Sequence, residues 1–193
     1  KPSVSGNPKQ IKKVAAEIQG AKRPLICAGG GVFSSGAQNF IRELSEKGQI
    51  PVVTTMMGLG AIPSANNMNL GMIGQFGHKT ANYALNNTDL LIIIGARVGD
   101  RAVTAPDRVE EKSRTIHIDV DPAEINKNIQ TDASVIGDIK EILKRVNHLL
   151  EQQEHTEWMQ QISEFKEKYP LTYKKEGLSG PFVMEEIYRQ TKG

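Results

Sequence analysis

The chain has 193 residues, with 24 basic and 22 acidic side chains and a formal net charge of +2, a size that suits one domain with room for an extension. Its charges are well mixed, which argues against a nucleic-acid partner, and its single cysteine, Cys27, excludes a disulfide framework or a cysteine-rich zinc site. No apolar run approaches the roughly 20 residues of a membrane span and the first residues lack a signal-peptide core, so we expect a cytoplasmic protein without a membrane partner.

Apolar periodicity predicts alternating helices and strands along residues 1–150. In chain order we expect a helix over 8–20, a strand over 24–28, a helix that Ser34 or Ser35 caps and Gly48 ends, a strand over 50–55, a helix over 81–85, strands over 90–94 and 114–120, a short helix capped by Asp121, a strand over 134–136 and a helix over 139–150. This alternation is typical of a doubly wound, mostly parallel α/β sheet in three layers, the Rossmann-like architecture.

Beyond residue 150 the sequence becomes polar. One narrow apolar stripe remains, formed by Trp158, Met159, Ile162 and Phe165. It predicts a helix that lies across the surface or against a neighbouring domain. Because the chain opens without methionine and ends within a new helical pattern, we expect a fragment of a longer protein. Its expected parts are a domain over 1–150, a polar helix or linker over 151–180, and the start of another domain over 181–193.

The loop AGGGVFSSG follows the first predicted strand. It matches neither G-x-G-x-x-G nor the P-loop motif, since no Lys-Ser/Thr pair follows Gly36. Three glycines, Gly29 to Gly31, nevertheless stand between a strand and a helix, where exposed amides suit a pyrophosphate. The alternative is that these glycines only form a tight turn.

The loop GARVGDR follows the strand over 90–94. Arg97 and Arg101 are four residues apart, and guanidinium groups donate in a planar fork to phosphate or stack on flat heterocycles. Asp100 could orient an arginine or accept a hydrogen bond from a ligand. The alternative is a solvated loop with a local salt bridge.

Two acidic residues end the later strands. Asp119 lies some two dozen residues after Gly95, a separation at which dinucleotide folds place the acid that receives ribose hydroxyls. Asp138 also follows a strand, and for either acid the alternative is a helix N-cap. Because the carboxyl ends of parallel strands share one edge, these loops are expected to converge on one crevice. A dinucleotide would satisfy all of them.

Catalytic constellations are absent from the sequence. His117 falls in a strand, His148 and His155 in helical surroundings and His78 at a helix start, so no pair has metal-ligand spacing. Cys27 sits in a buried strand pattern and is expected to be a small core residue rather than a nucleophile. We therefore predict no catalytic and no metal-binding residue in this chain.

Six segments resemble, in order and with similar spacing, the central domain of acetolactate synthase large subunits. They are GGGV, TTMMGLGAIP, LGMIGQFGHKTANYAL, TDLLIIIGARVGDR, TIHIDVDPAEINKN and VIGD. These enzymes belong to the thiamine-diphosphate-dependent decarboxylase and carboligase superfamily. The resemblance runs from about residue 7 to residue 150, and residues 181–193 resemble the start of that family's third, pyrophosphate-binding domain.

The resemblance implies an enzyme that joins two pyruvates, or pyruvate and 2-oxobutyrate, to 2-aceto-2-hydroxy acids with loss of CO₂, in branched-chain amino acid biosynthesis. Thiamine diphosphate and Mg²⁺ would be held by flanking domains, because the Gly-Asp-Gly motif that anchors the metal is absent here. The central domain, of the DHS-like NAD/FAD-binding fold, would bind FAD in a structural role. The implied assembly is a homodimer or homotetramer, with a regulatory small subunit left open.

The resemblance also implies FAD contacts at the strand-end loops. These residues are Gly29, Gly30, Gly31, Thr55, Met56, Ile73, Gly74, Gln75, Phe76, Gly95, Ala96, Arg97, Val98, Gly99, Arg101, Asp119, Val120, Asp138 and Ile139. Among them Arg97 would lie on the phosphates, and Asp119 and Asp138 would face the ribose and adenosine end.

Two positions depart from the family pattern. Gln75-Phe76 stands where many members have Met-His, and Val98-Gly99 interrupts a segment that is commonly Arg-Phe-Asp-Asp-Arg. Because catabolic acetolactate synthases use no flavin, the biosynthetic and catabolic branches both stay open.

Other classes of protein share the general sheet architecture. One alternative is the central domain of a glyoxylate carboligase-like or oxalyl-CoA decarboxylase-like enzyme, which holds FAD, ADP or nothing. Another is a scaffold domain that binds no ligand. An NAD-consuming deacylase of the sirtuin type is disfavoured, because those enzymes normally carry a four-cysteine zinc site.

Overall fold

The computed structural model describes residues 4–191, and six strands within them form one parallel sheet. The strands are β1 (Pro24–Ala28), β2 (Val52–Thr54), β3 (Asn69–Met72), β4 (Leu90–Ile94), β5 (Arg114–Asp119) and β6 (Ala133–Ile136). Their order across the sheet is β3-β2-β1-β4-β5-β6. This is the doubly wound order of the Rossmann-like fold, and it confirms the predicted architecture.

Eight helices accompany the sheet within the same residues. They are α1 (Pro8–Gly20), α2 (Gly31–Ser34), α3 (Gln38–Gly48), α4 (Lys79–Asn87), α5 (Pro106–Glu110), α6 (Ile139–Leu149), α7 (Thr156–Lys168) and α8 (Gly180–Thr191). One apolar core packs one sheet face against α1, α3 and α6, and a second packs the other face against α4, α5 and α7. The domain therefore has three layers.

The central strands contribute to both cores, as their continuous apolar runs predict. In β4, Ile92 and Ile94 pack into the first core, whereas Leu91 and Ile93 pack into the second. The observed bounds of β1 and β4 equal the predicted ones. Strand β5 was expected to alternate apolar and polar faces, but all its residues after Arg114 are buried, because α5 and its flanking loops cover the second face.

The helix cap predicted at Ser34 or Ser35 is wrong. Ser34 ends the short helix α2, and the Oγ of Ser35 donates to the carbonyl of Gly31 over 2.9 Å. Helix α3 begins only after Ala37, without a side-chain cap. The two helices are separated by Gly36, whose φ of +64° reverses the chain between them.

Three of these elements were not predicted, the short helix α2, the edge strand β3 and the helix α5. All are short: α2 buries only Val32, β3 contains Gly71 and buries only Leu70 completely, and α5 buries only Val109. Patterns of four or five residues carry too little periodicity to identify an element.

Helix α7 packs into the second core rather than over an outer surface. Trp158 and Ile162 are each 1% exposed, and the indole Nε1 of Trp158 donates to the carbonyl of Pro24 over 3.0 Å. Two buried positions in a polar helix are enough to attach it to this domain's own sheet. The predicted division at residue 150 therefore does not coincide with the end of the packed core.

Helix α8 contrasts with α7, because none of its residues is buried. It matches the helical pattern expected near the end of the sequence, with Phe182, Met184 and Tyr188 exposed. Within residues 4–191 there is no helix with the length and apolar character that crossing a membrane requires.

Candidate functional site

A cleft of about 1090 Å³ lies outside the carboxyl ends of the central strands. It spans the junction of β1 and β4, where the strand order reverses and where doubly wound sheets bind their ligands. Its volume stands at the upper end of the roughly 300–1,000 Å³ of small-molecule and cofactor sites. The loops that follow β1, β2, β3, β4 and β5 all line it, whereas Asp138, in the loop after β6 that was also expected to converge there, lies outside the lining.

Most of the predicted contact residues line this cleft, and six do not. Those that line it are Gly30, Gly31, Thr55, Met56, Ile73, Phe76, Gly95, Ala96, Arg97, Val98, Gly99, Arg101 and Asp119. Those outside the lining are Gly29, Gly74, Gln75, Val120, Asp138 and Ile139.

The glycine loop after β1 packs directly on the loop after β4. The amide of Gly29 donates to Ile94 over 2.9 Å, and the amide of Gly31 donates to Gly95 over 3.0 Å. A Cβ atom on Gly29 would lie 2.2 Å from the carbonyl oxygen of Gly95. Gly29 and Gly31 thus allow a close approach between two loops, and their amides are occupied by hydrogen bonds across that contact. Gly30, whose amide has no such partner, lines the cleft between them.

The arginine loop after β4 is held in an unusual conformation. Val98 has φ of +47°, a left-handed geometry that is costly for a β-branched residue, and its side chain is buried. Asn128 supports the loop by donating from Nδ2 to the carbonyl of Arg97 over 2.7 Å. Within residues 4–191 neither Arg97 nor Arg101 pairs with a carboxylate, so the local salt bridge is not formed. Both arginines are exposed and line the cleft.

Asp119 ends β5 as a largely buried carboxylate at the cleft. Its Oδ1 accepts from the amide of Asp121 over 3.0 Å, and its Oδ2 lies 3.7 Å from Nε2 of His117. Burial raises the pKa of the Asp119 carboxyl, but the His117 ring and the amides of Asp121 and Val120 outweigh it and lower the pKa below its ordinary value. Asp119 is thus held as an anion at neutral pH.

Asp138 is the N-cap of α6, which is the alternative to ligand binding that the sequence left open for this residue. Its side chain accepts from the amide of Glu141 over 3.2 Å. Next to it the Cδ1 atom of Ile139 packs close to Gly31 and Gly95, beneath the cleft. Asp121 caps the 3₁₀ turn that follows β5, as predicted, by accepting from the amide of Ala123 over 2.9 Å.

Apolar side chains form the part of the cleft nearest β2 and β3. Met56 is 75% exposed and Phe76 is 84% exposed, which is unusual for side chains of this size. The loop that carries Phe76 is braced from behind, because the side-chain amide of Asn82 exchanges two 2.9 Å hydrogen bonds with the backbone of Gly74. The amide of Gln75 donates to Arg101 over 3.3 Å. These residues support the apolar end from outside the lining.

Some lining residues were not among the predicted contacts. They are Ser34, Met57, Met72, Asp100, Ala102, Asp121, Glu124, Lys127 and Asn128. Four of them lie in the segment that follows β5, where Glu124 and Lys127 pair over 3.0 Å. Polar residues directly after a buried strand were the signal that could have identified them.

The histidines and the cysteine do not form a catalytic group. His78 and His155 precede α4 and α7, and His117 lies in β5, as expected. Burial raises the pKa of the Cys27 thiol to about 12, which keeps it protonated. Among residues 4–191 no three His, Cys, Asp or Glu side chains are grouped so that they could hold a metal ion.

A second groove, of about 650 Å³, lies on the outer layer of α1, α3 and α6. Its rim mixes basic residues such as Lys12 and Lys47 with the acidic Glu43 and Glu141. It is remote from the strand ends, so we place the functional site in the larger cleft.

The sequence profile of the family described as "Thiamine pyrophosphate enzyme, central domain" matches residues 11–146, which is most of the chain. The chain belongs to this family. The match covers the whole sheet and most of α6, hence every loop that lines the cleft. Membership in the thiamine pyrophosphate enzymes agrees with the doubly wound fold and with the resemblance of the six segments.

The chain is also similar to several proteins that are named acetolactate synthase large subunits. The chain is 43% identical over 169 residues to a probable acetolactate synthase large subunit of Methanocaldococcus jannaschii, covering 86% of this chain and 29% of that protein. It is 38% identical over 165 residues to the acetolactate synthase large subunit of Lactococcus lactis, covering 85% and 29%. It is 38% identical over 160 residues to the acetolactate synthase isozyme 1 large subunit of Escherichia coli, covering 83% and 28%. The chain thus spans less than a third of the length of these relatives.

Proposed function

We propose that this chain is the FAD-binding central part of an acetolactate synthase large subunit. Two kinds of support agree, the names of the similar proteins and the chemistry of the cleft. In the parent enzyme two pyruvates, or pyruvate and 2-oxobutyrate, condense with release of CO₂. This is an early reaction of branched-chain amino acid biosynthesis.

The order of chemical groups along the sheet edge carries the FAD proposal. Apolar Met56 and Phe76 follow β2 and β3, the arginine loop follows β4, and Asp119 ends β5. Along the strand order, the cleft therefore offers first an apolar surface for a flat ring, then cations, and then a hydrogen-bond acceptor. FAD has the same order of parts, with flavin ring, pyrophosphate and adenosine ribose. At about 4.8 Å per strand, β3 to β5 span roughly 19 Å, which suits an extended ligand.

The residues present fit FAD. Arg97 and Arg101 would hold its pyrophosphate, and Asp119 would accept hydrogen bonds from its ribose hydroxyls. In this family FAD would act as a structural brace rather than a redox carrier. The same donor set does not fit Mg²⁺, since no metal-binding group is formed among residues 4–191. Thiamine diphosphate, which supplies the carbanion chemistry, and its Mg²⁺ would accordingly be bound by other parts of the parent enzyme.

The parent enzyme is further proposed to be a cytoplasmic homodimer or homotetramer. The words "large subunit" in the names of the relatives support a regulatory small subunit as an additional partner. The exposed apolar residues Met56 and Met57, which line the cleft, and the neighbouring Leu59 are consistent with burial against another part of that assembly.

The test is a calorimetric titration of FAD into the 193-residue chain and into its full-length parent, with ADP and NAD as control ligands. We expect FAD to bind the chain with micromolar or tighter affinity and to bind more tightly than ADP or NAD. Tighter binding of ADP would instead favour a sister carboligase or decarboxylase. No binding of FAD by either protein would contradict the proposal.

A further inference from the structure

His117 is a buried imidazole whose polar atoms have no hydrogen-bond partner among residues 4–191. Its side chain is 1% exposed, and both Nδ1 and Nε2 are sealed from solvent. An unpaired buried polar group is unfavourable, and native structures rarely keep one without a reason. On its own strand His117 shares a face with Thr115 and Asp119, and across the sheet it is flanked by Ile93 of β4 and Ser134 of β6.

Asp119 is the carboxylate within reach of this ring. The 3.7 Å between Nε2 of His117 and Oδ2 of Asp119 is slightly longer than a hydrogen bond, so a small rotation of the carboxylate would close it. The other oxygen, Oδ1, is already held by the amide of Asp121 over 3.0 Å. Asp119 lines the cleft and His117 does not, so the ring lies behind the carboxylate as seen from a ligand.

We propose that His117 is a positioning residue, which donates from Nε2 to Oδ2 of Asp119 and so fixes that carboxylate to receive the vicinal hydroxyls of a ribose. This inference rests on the proposed function, because the ribose is that of the adenosine half of FAD. With each oxygen anchored from behind by one donor, the remaining lone pair of each oxygen faces the cleft. A carboxylate held in this way matches a pair of adjacent hydroxyl groups and discriminates against a ligand that has only one.

The binding test compares FAD with its analogue that lacks the 2′-hydroxyl of the adenosine ribose. We expect the unmodified chain to prefer FAD by about tenfold, which corresponds to about 1.4 kcal/mol. Asp119→Asn and His117→Phe are expected to reduce this preference to about twofold or less. His117→Gln, which keeps a side-chain N–H donor, should restore most of it. His148→Gln, on the exposed part of α6, is the matched control and should change nothing.

A second set of measurements, by NMR, needs no ligand. The ¹⁵N chemical shifts of His117 in the unmodified chain report which ring nitrogen carries the proton, and the proposal requires a proton on Nε2. The carboxyl pKa of Asp119, followed by NMR, should lie below its ordinary value and should rise in His117→Phe, because the donor is lost.

The outcomes separate this inference from the proposed function. If FAD and its analogue fail to bind both the unmodified chain and its full-length parent, the proposed function fails, while the NMR measurements still decide the role of His117. An unprotonated Nε2 overturns the positioning role. So does an undiminished preference for FAD in a folded His117→Phe variant, or an Asp119 pKa that this substitution does not raise.

Discussion

Arg97 and Asp119 occupy neighbouring loops of the cleft but differ in how they are held. Arg97 is exposed and forms no ion pair within residues 4–191, so its guanidinium group must be ordered by whatever binds. Asp119 is 7% exposed and already oriented by a backbone amide. At the residue scale, the cleft therefore offers a pre-ordered acceptor beside a cation that a ligand orders.

Arg97→Ala tests the cation. We expect FAD affinity to fall by about 1.5–3 kcal/mol, or roughly 10- to 150-fold in Kd, because a charge-assisted hydrogen bond to a phosphate is lost. The measurement is the same calorimetric titration. Arg108→Ala, on the exposed side of α5, removes the same charge outside the cleft and is expected to leave the Kd unchanged. Equal Kd values for both variants would favour a solvated loop without a ligand role.

At the scale of elements, the contact between the β1 and β4 loops forms the floor of the cleft. Its hydrogen bonds, Gly29 to Ile94 and Gly31 to Gly95, continue the pairing of the two strands past their ends. The contact needs residues without a Cβ atom, because backbone approaches backbone. The glycine-rich loop is thus a packing device as well as a candidate ligand contact.

Gly29→Ala tests this contact. Its added methyl group would meet the carbonyl oxygen of Gly95 at 2.2 Å, so we expect the free energy of unfolding to fall by about 1–3 kcal/mol. Gly99→Ala is the matched control, because its Cβ would meet nothing within 4 Å and should change stability by less than about 0.5 kcal/mol. Urea unfolding of both variants decides, and equal midpoints would argue against a tight loop contact.

Helix α7 is the second element whose role a substitution can test. Trp158→Ala removes a buried indole and its hydrogen bond to Pro24, so the free energy of unfolding should fall by about 3–5 kcal/mol. Glu157→Ala, at an exposed position of the same helix, should have an effect of less than about 0.5 kcal/mol. If Trp158→Ala were as stable as Glu157→Ala, residues beyond 150 would act as a linker rather than as part of the core.

At the scale of the whole molecule, the described residues provide a cleft at the strand ends but no group of three His, Cys, Asp or Glu side chains that could hold a metal ion. The chain also spans less than a third of its relatives. We therefore expect the 193 residues mixed with pyruvate, thiamine diphosphate and Mg²⁺ to form no acetolactate above the protein-free rate. A colorimetric assay for acetolactate, with the full-length parent as positive control, measures this. Clear turnover by the chain alone would contradict the division of labour proposed here.

Local features of the sequence determined much of the fold. The apolar runs of β1 and β4 predicted buried strands with their observed bounds. Successive side chains of a strand point to opposite faces, so an uninterrupted apolar run indicates that both faces are buried. Asn7 and Asp138 are helix caps within three residues of the amides that they accept from, so these too are local. The convergence of strand-end loops followed from parallel pairing alone. For the same reason the sequence sufficed to indicate a crevice at the strand ends, while its dinucleotide ligand stays a prediction.

Contacts between distant segments were decided only by the tertiary structure. Three such contacts join residues far apart in the chain. They are the strand order β3-β2-β1-β4-β5-β6, the hydrogen bond from the buried Trp158 to the carbonyl of Pro24, and the hydrogen bonds from the amides of Gly29 and Gly31 to Ile94 and Gly95. His117 lies next to Asp119 and is buried because α5 and its flanking loops cover that face of β5, which the sequence of β5 alone does not indicate. Periodicity reports which residues are buried but not what they meet, because packing partners are chosen in three dimensions.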